Sequence, residues 1–438
     1  MPVQNLINPL IKPKGERVAV IAGLRTPFVR KDGGFKDAYA ADLGSLVVNE
    51  LLNRSSLERD SIEQLIFGQV IQQPDIPNLA REIALSLSMN NLPAYTLNCS
   101  CVSGLQAVAN IANGITSGAI KAGIAGGADS ISNAQFSLSP RLVHKIKSIF
   151  KTSNWEHKFQ LLKTLSWQDF KPQGINLKDY LTQLSVAEAS EQLAQQFAIS
   201  RAEQDEYARQ SCEKASNAQK IGWLKAGVVH SFPRPYKDFV IGDQLNRAAT
   251  KSKYYERVNP LLNQPYASVT EANMSAPVDG AAGVILMAES EAKRQDLQPM
   301  GYIRSFASQG NDVWQEMFMG APIAAYHALQ KAGVAISDLR FIDIHETSAA
   351  QMLANLQAFE SKHFAQKYLQ QDQAIGAIDS TKLNLLGGSI AYGNPRAATS
   401  LRLLIQSLWN LQRHGGGLSL IASNGLGGLS GAMVLETE

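Results

Sequence analysis

The sequence predicts an α/β protein made of two similar halves with an inserted segment. Apolar runs typical of buried strands alternate with stretches in which apolar residues recur at helical spacing, which indicates layers of helices and strands. The later part of the chain repeats this order of segments, which favours a duplication. The stretch 136–255 departs from the pattern, because it carries charged helical segments from Ser185 to Lys225.

The first half is assigned to residues 16–135 and 256–290, after an extended arm at 1–15. Its segments are read from their periodicity and from the glycines that separate them. In order they are a strand at 17–23, a helix at 42–55, a strand at 64–71, a helix at 101–118 and a strand at 122–132.

The second half is assigned to residues 291–438 and follows the same plan. Its helix should end at Gly333, since glycine is favoured just after a helix. The predicted elements are a strand at 301–308, a helix at 320–333, a strand at 339–346 that ends in polar residues, and a closing hairpin at 418–425 and 431–437.

The inserted loop domain, 136–255, should cover one face of the molecule. Within it, residues 141–178 carry eight lysines and arginines against two acidic residues, interleaved with aromatic residues. Such a segment serves either as a docking surface for a partner, a membrane or a phosphorylated cofactor, or simply as a solvated helical face. We favour the solvated face.

Length and composition exclude several classes of protein. The chain has 438 residues, 45% hydrophobic and 18% charged, with a net charge of +3. It is long enough for about three structural units, and its mild basicity suits small anionic ligands rather than nucleic acid. No apolar run approaches the ~20 residues of a membrane span. Three cysteines and seven scattered histidines indicate a reducing cytoplasm and no metal site.

The stretch NCSCVSGLQAV is the strongest chemical signal. It places a cysteine where a loop turns into a helix, and a helix N-terminus stabilises a thiolate. Gly104 allows close approach of another backbone. These are the requirements of a nucleophile that forms a thioester. The alternatives are a small buried cysteine and a redox pair of Cys99 and Cys101, although a bridge between such near neighbours is strained.

Four other polar positions lie at the ends of strands or in glycine-rich turns. His345 follows an apolar strand, where a side chain tends to face the ligand crevice of an α/β fold. Taken singly, each position is more often structural than catalytic, because Asn, Ser and Gly dominate ordinary turns. The other three are Ser275 in VTEANMSAPVDG, Asn394 in GGSIAYGNPRAATS and Asn424 in ASNGLGGLSGAM.

Together these segments resemble the thiolase superfamily, and most closely the β-subunit type of long-chain 3-ketoacyl-CoA thiolase from the fatty-acid oxidation complex. The likeness runs through RTPF, CVSGLQAVAN, AGIAGGADS, DGAAGVILM, DVWQEMFMG, IDIHE, LGGSIAYGNP and GGLSGAMVLE, which span nearly the whole chain. The resemblance implies two similar halves stacked as five α-β-α-β-α layers, with a loop domain inserted in the first half.

The resemblance assigns roles to individual residues. Cys101 matches the family's nucleophile, which decides between it and Cys99. Ser275 matches the serine of the loop that contacts CoA, and Gly104 belongs to the nucleophile motif. His345 and the following glutamate are kept from the family's N/H-E-A-F motif, whereas its Ala and Phe are replaced by Thr347 and Ser348.

Two positions depart from the family pattern. Asn394 stands where thiolases have the G-H-P histidine, and Asn424 stands at the second cysteine. In thiolases these groups move protons, and an amide has no usable proton at neutral pH. General acid–base help is worth roughly 10²–10⁴ per group, so we expect slow thiolysis.

The remaining Cys101, His345 and Asn394 resemble the Cys-His-Asn set of the decarboxylating branch, such as ketoacyl-ACP synthase III and the chalcone synthases. Decarboxylation creates the carbanion without removing a proton, and His and Asn can both donate hydrogen bonds to the enolate oxygen. We expect a second oxyanion hole from the backbone N–H groups of Cys101 and Leu426.

Three functions compete. The favoured one is an acyltransferase that forms acyl-Cys101 and catalyses a Claisen-type condensation. The alternatives are a 3-ketoacyl-CoA thiolase of fatty-acid β-oxidation and an inert thiolase-like subunit. The expected substrates are acyl-CoA or acyl-carrier-protein thioesters with no bound cofactor. By resemblance we expect a cytoplasmic homodimer or larger assembly, with a partner subunit as a further option.

Overall fold

The computed structural model describes residues 16–135, 138–171, 174 and 177–438. The predicted arm at 1–15 lies outside the described residues. The described strands are β1 (Val18–Arg25), β2 (Val29–Arg30), β3 (Gln64–Gly68), β4 (Ala94–Leu97), β5 (Ala122–Asp129), β6 (Val278–Ala288), β7 (Gly301–Gly310), β8 (Phe341–Ile344), β9 (Gly417–Gly425) and β10 (Leu429–Thr437).

The helices of the described residues follow from the apolar periodicity of the sequence. They are α1 (Ala40–Ser55), α2 (Leu79–Ser86), α3 (Ser103–Thr116), α4 (Pro140–Lys151), α5 (Trp155–Lys163), α6 (Val186–Gln196), α7 (Arg201–Lys220), α8 (Ser252–Tyr255), α9 (Glu289–Arg294), α10 (Gly320–Ala332), α11 (Ala349–Glu360), α12 (Lys362–Phe364), α13 (Ser389–Tyr392) and α14 (Thr399–Arg413). The predicted end of α10 is confirmed, because Gly333 caps it in the left-handed conformation with φ 67°.

The strand pairing repeats between the two halves. In the first half β1 pairs antiparallel with β6, β6 antiparallel with β5, and β5 parallel with β3. In the second half β7, β10, β9 and β8 repeat the same succession of two antiparallel pairs and one parallel pair. The halves join through antiparallel pairing of β1 with β7, so the strands form one continuous mixed sheet.

The strands of the two halves form two layers, which alternate with three layers of helices. Helices α1 and α2 pack on the strands of the first half, and α10 packs on β7, β9 and β10 of the second. Between the two sets of strands lie α3 and α14, which contact strands of both halves as well as each other. The predicted α-β-α-β-α fold is therefore confirmed, and a large apolar cluster fills the space around the central helices.

One predicted strand is shorter than its apolar run. The run 64–71 stops pairing at Gly68. The reason is Asp129, whose carboxylate accepts the N–H groups of Val70 and Ile71 at 2.9 and 2.7 Å. A buried carboxylate thus replaces the sheet ladder as the partner of these backbone donors.

The segment between β5 and β6 contains α4 to α8. Helices α6 and α7 pack against α11 and α13, close to the polar ends of the second-half strands. The basic stretch forms α4 and α5, where Phe150 and Trp155 are exposed, and Trp167 is exposed in the short turn that follows. Within the described part of the chain, no helix combines the length and apolar character needed to cross a membrane.

Candidate active site

Cys101 lies just before the first turn of α3, as the sequence predicts. Its side chain is buried, 5% exposed. The thiol sulfur lies 3.5 Å from Asn394 Nδ2, although 293 residues separate the two along the chain. The repeated topology explains this contact, because α3 precedes β5 and α14 precedes β9 in the same way, so the two helices begin side by side.

Asn394 is held in one orientation by its neighbours. Its Oδ1 accepts the N–H of Arg396 at 2.8 Å and the hydroxyl of Thr399 at 2.7 Å. With the oxygen occupied, Nδ2 is directed towards Cys101 and His345. The preceding Gly393 has φ 85° and its Cα faces Val278, where a Cβ would approach Cγ1 to 2.4 Å, so the turn requires glycine.

His345 completes the group. Its Nε2 lies 3.4 Å from Asn394 Nδ2, and its Nδ1 lies 2.8 Å from Ser389 Oγ. Because Asn394 Nδ2 can only donate, Nε2 serves as the acceptor and the ring proton belongs on Nδ1. Ser389 Oγ also accepts from Arg402 at 3.3 Å, which fixes the serine from its other side.

The electrostatics of the site favour neutral groups. Burial, followed by the cations of Arg402 and Arg396, lowers the pKa of His345 to about 3. Burial raises the pKa of the Cys101 thiol above its ordinary value, while the charge of Arg396 and the amide of Asn394 oppose that rise. The resting site therefore holds a thiol and a neutral imidazole, with hydrogen-bond donors ready for developing negative charge.

Asn424 is buried and makes three side-chain hydrogen bonds. Its Oδ1 accepts from the N–H of Ala321 and the hydroxyl of Ser430, both at 2.9 Å. Its Nδ2 donates to Asn355 Oδ1 at 2.9 Å. It lines the pocket beside Cys101, and its hydrogen bonds tie β9 to the N-terminus of α10.

Leu426 lies at the rim of the same pocket. Its N–H donates to Ser100 Oγ at 3.0 Å, so the predicted oxyanion hole of Cys101 and Leu426 requires Ser100 to release this donor. That role stays a prediction.

Ser275 and Gly104 lie in different surroundings. Ser275 lines the pocket, and both its N–H and its hydroxyl donate to the carbonyl of Thr347. Gly104 lies in α3 against the carbonyl of Ala397, where a Cβ would come within 2.6 Å. The absence of a side chain at Gly104 thus lets the turn before α14 pack closely against α3. Gly104 is not among the residues that line the pocket.

The pocket itself has a volume of about 220 Å³. Cys101 and Asn394 are among the residues that line it, and most of the others are apolar or carry a hydroxyl group. The other lining residues are Leu177, Ser185, Val186, Ala187, Met274, Ser275, Pro277, Phe318, Thr347, Arg396, Asn424 and Leu426. Among the described residues, no group of three or more His, Cys, Asp or Glu is placed to hold a metal ion.

Sequence reasoning missed several residues that shape this site. Ser389 and Arg402 position the imidazole of His345, and Arg396 brings a charge into the pocket. The signal for Arg396 was a single charged residue inside the small-residue turn GNPRAATS. No local signal marks Ser389 or Arg402, because their role depends on contacts across the fold.

Comparison with known proteins agrees with this geometry. Residues 18–290 match the model of the thiolase N-terminal domain, and residues 297–437 match that of the thiolase C-terminal domain. A 3-ketoacyl-CoA thiolase of Vibrio cholerae is 44% identical over 425 residues, which cover 97% of this chain and 98% of that protein. One of Escherichia coli (strain SE11) is 42% identical over 431 residues, covering 98% and 99%.

Solved structures show the same architecture. The crystal structure of human mitochondrial 3-ketoacyl-CoA thiolase matches with a TM-score of 0.82 and 26% identity, over 96% of this chain and 99% of that one. The Bacillus anthracis acetyl-CoA acetyltransferase matches with a TM-score of 0.81 and 26% identity, over the same shares. With both domain models matched and a cysteine at the start of the first central helix, this chain belongs to the thiolase family of acyltransferases.

Proposed function

We propose that the protein transfers acyl groups between CoA thioesters through an acyl-Cys101 intermediate, with 3-ketoacyl-CoA thioesters as its substrate class. The observation that carries the proposal is the buried Cys101 sulfur at the helix N-terminus, 3.5 Å from Asn394 Nδ2 inside the 220 Å³ pocket. The names of the relatives support thiolysis, the alternative in the sequence analysis, over the condensation favoured there.

In the thiolytic direction, the Cys101 thiolate attacks the C3 carbonyl and the C2–C3 bond breaks. The electron pair stays on C2 as the enolate of acetyl-CoA, which takes up a proton. The thiol of a second CoA then attacks the acyl-cysteine, releases acyl-CoA and returns Cys101. Asn394 Nδ2 is placed to donate a hydrogen bond to the thiolate or to an enolate oxygen. No metal or other cofactor takes part in this scheme.

The proton transfers are the steps of thiolysis that this site supports least, because it lacks an effective acid and base. Asn424 holds an amide where the resemblance implies the acid that protonates C2, and an amide has no proton to give up near neutral pH. Neutral His345, with its pKa lowered to about 3, is a poor base. We therefore expect C2 to be protonated by water and thiolysis to be slow.

Decarboxylative condensation is the second candidate, favoured by the contact between His345 Nε2 and Asn394 Nδ2 at 3.4 Å. A malonyl-type thioester would lose CO₂ to give the enolate, which attacks acyl-Cys101 and frees the thiolate. The amide of Asn394 and an Nε2–H tautomer of His345 would hold the enolate oxygen. Ser389 permits that tautomer, because its hydroxyl hydrogen can turn to Nδ1.

The test is intact mass spectrometry after incubation with acyl-CoAs of several chain lengths, with Cys101→Ala as the control. An acyl adduct on the wild type alone supports acyl transfer at Cys101. Free CoA that releases the adduct supports thiolysis, whereas malonyl-CoA that elongates it supports condensation. No adduct from any acyl-CoA or acyl carrier protein would overturn both candidates in favour of the inert subunit.

Assembly and location belong to the proposal as well. We infer a homodimer or larger assembly from the resemblance to thiolases. A partner subunit is a further proposal, because the sequence motifs resemble the β-subunit type of thiolase. Sedimentation of the purified protein tests the first inference. Co-purification from native cells tests the second, and fractionation of the same cells tests the expected cytoplasmic location.

A further inference from the structure

Arg396 occupies an unusual place in the pocket. It follows Pro395 at the entry to α14, its side chain is 9% exposed, and its backbone adopts the left-handed region with φ 45°. Such a conformation costs free energy for a residue other than glycine and persists only where the surroundings impose it. Among the described residues that line the pocket, Arg396 is the one with a permanent charge.

Among the described residues, the guanidinium group of Arg396 lacks a counterion. Its Nε is buried without a hydrogen-bond partner, and the ion pairs of the described side chains do not include it. Its charge acts on the buried carboxylate of Asp129. Both oxygens of Asp129 are already taken, by the N–H groups of Val70 and Ile71 and by that of Ala397.

A buried cation without a partner is rare, because removing a charge from water is costly unless an anion compensates. By contrast, the two terminal guanidinium nitrogens of the buried Arg25 donate to Asp243 at 2.6 and 2.7 Å. The buried Arg402 forms no ion pair with a described residue, but its terminal nitrogens donate to Gln406 and Ser389 at 2.8 and 3.3 Å. Arg396 therefore has the character of a residue whose anion arrives with the ligand.

We propose that Arg396 is the anion-binding residue of the pocket and that it selects acyl thioesters whose acyl group carries a free carboxylate. This inference rests on the proposed acyl transfer at Cys101. A guanidinium matches a carboxylate through two parallel hydrogen bonds, which makes arginine well suited to this recognition. A neutral acyl chain leaves the cation buried and unpaired, so the site discriminates against it.

The position of Arg396 limits where the carboxylate lies. Arg396 and Cys101 line the same small pocket, about 220 Å³ in volume, so a carboxylate bound by the guanidinium shares this pocket with the reacting carbonyl. The carboxylate is then separated from the thioester by a short chain. Two sources share this chemistry, a malonyl-type thioester and a longer dicarboxylic thioester, and chain length distinguishes them.

The experiment compares matched pairs of CoA thioesters that differ in the terminal carboxylate. The pairs are malonyl with propionyl, succinyl with butyryl, glutaryl with pentanoyl and adipoyl with hexanoyl. Initial rates of adduct formation on Cys101 are measured by intact mass for the wild type, Arg396→Gln and Arg396→Lys. The exposed Arg257 supplies the matched control, Arg257→Gln.

We expect the wild type to prefer the carboxylate member of at least one pair by about tenfold or more. Arg396→Gln should reduce that ratio to near one, Arg396→Lys should keep part of it, and Arg257→Gln should leave it unchanged. A preference confined to malonyl-CoA identifies the malonyl-type source, and one that peaks at a longer chain identifies a dicarboxylic substrate.

Other outcomes would overturn the inference. Wild type that loads neutral and carboxylate members equally removes the anion site but leaves acyl transfer at Cys101 standing. An equal fall of both members in Arg396→Gln, with the ratio unchanged, shows that the arginine serves the thiolate alone. If the Gln variant fails to fold, Arg396→Lys carries the test, because a wild-type preference that Arg396→Lys leaves unchanged would contradict the inference.

If no thioester loads Cys101, the proposed function fails, and binding then decides the inference separately. Calorimetry with the Cys101→Ala protein compares succinyl-CoA with butyryl-CoA, and adipoyl-CoA with hexanoyl-CoA. Tighter binding of the carboxylate member, lost on adding Arg396→Gln, supports the anion site. Equal affinity overturns it.

Discussion

At the residue scale, the central feature is an amide between a thiol and an imidazole. Asn394 donates towards Cys101 and His345 because its oxygen is held by Thr399 and by the N–H of Arg396. The site is therefore rich in hydrogen-bond donors and poor in groups that exchange protons near neutral pH. This imbalance is the reason for expecting slow thiolysis from an otherwise intact nucleophile.

Restoring a base at this position should restore thiolysis. In Asn394→His, an imidazole nitrogen can accept the proton of the Cys101 thiol, whose pKa is raised by burial. We expect cleavage of a 3-ketoacyl-CoA in the presence of CoA to rise at least about tenfold at pH 8, within the range of general-base catalysis. The loss of the thioester enolate absorbance measures the rate.

Asn394→Gln provides the control, since it keeps the amide and adds one methylene group. It should show no gain in cleavage. A rate for Asn394→His that stays at or below the wild-type value would show that the missing histidine does not limit the reaction.

The neutrality of His345 should appear in the pH dependence of stability. Its pKa in the folded state is lowered to about 3, below its value of ~6.5 in an unfolded chain. The unfolded chain alone binds the proton between these values, so stability present above pH 6.5 is lost as the pH falls towards 3. Relative to His345→Gln, the wild type should lose about 1.4 kcal/mol per pH unit over that window.

Urea unfolding at several pH values between 4 and 8 measures this difference. Comparing two variants cancels the opposite contributions of other buried groups, such as Asp129 and Asp343, whose pKa values burial raises to about 6. The exposed His363 serves as the control, and His363→Gln should give a curve parallel to the wild type. Parallel curves for His345→Gln would contradict the buried neutral imidazole.

At the element scale, a single carboxylate joins the inserted segment to the catalytic loops. Glu346 is fully buried and accepts from Tyr207 and Ser211 of α7, at 3.1 and 2.8 Å. It also accepts from Asn384 Nδ2 and from the N–H of Ile390, at 2.8 and 3.1 Å. Helix α7 is thereby fixed to the turn that leads to the active-site asparagine.

Removing this carboxylate should loosen α7. Glu346→Ala leaves several buried donors without a partner, each costing about 1–3 kcal/mol, so we expect a total loss of at least about 3 kcal/mol in the free energy of unfolding. Hydrogen exchange should rise in α7 and in α13. The control is Glu213→Ala on the exposed side of α7, which removes only a surface ion pair with Arg209 and should change stability by less than about 1 kcal/mol. An equal loss in both variants would contradict the anchoring role.

At the scale of the whole molecule, the active site is an interface between the two halves. Helix α3 of the first half and α14 of the second run between the two sets of strands, and their N-termini meet at Cys101 and Asn394. The close approach depends on Gly104, which faces the carbonyl of Ala397. The repeated topology therefore creates the site, and neither half contains it alone.

A methyl group at this contact should separate the halves. In Gly104→Ala the added Cβ would lie 2.6 Å from Ala397 O, which is backbone and cannot turn aside. We expect a loss of about 1–3 kcal/mol in stability and slower acylation of Cys101, measured by urea unfolding and intact mass. Gly310→Ala, where no atom lies within 4 Å of the added Cβ, should change stability by no more than about 0.5 kcal/mol. Unaltered acylation in Gly104→Ala would show that this helix contact does not set the site geometry.

The sequence by itself determined the fold class and the repeat of two halves, and it singled out Cys101 as the proposed nucleophile. Strand and helix periodicity are local properties of the chain, and the family motifs add the identity of Cys101, His345 and Asn394. Even the unusual amides at 394 and 424 were visible in the sequence, because a departure from a motif is read position by position.

The tertiary structure alone decided how these residues are arranged. The orientation of Asn394, the tautomer of His345 that follows from its contact with Asn394, and the engagement of Leu426 N–H by Ser100 all depend on contacts between distant segments. The same holds for the unpaired Arg396, because only the positions of all neighbouring side chains show that no carboxylate pairs with it. Periodicity reports which face of an element is buried, but only packing decides which groups meet there.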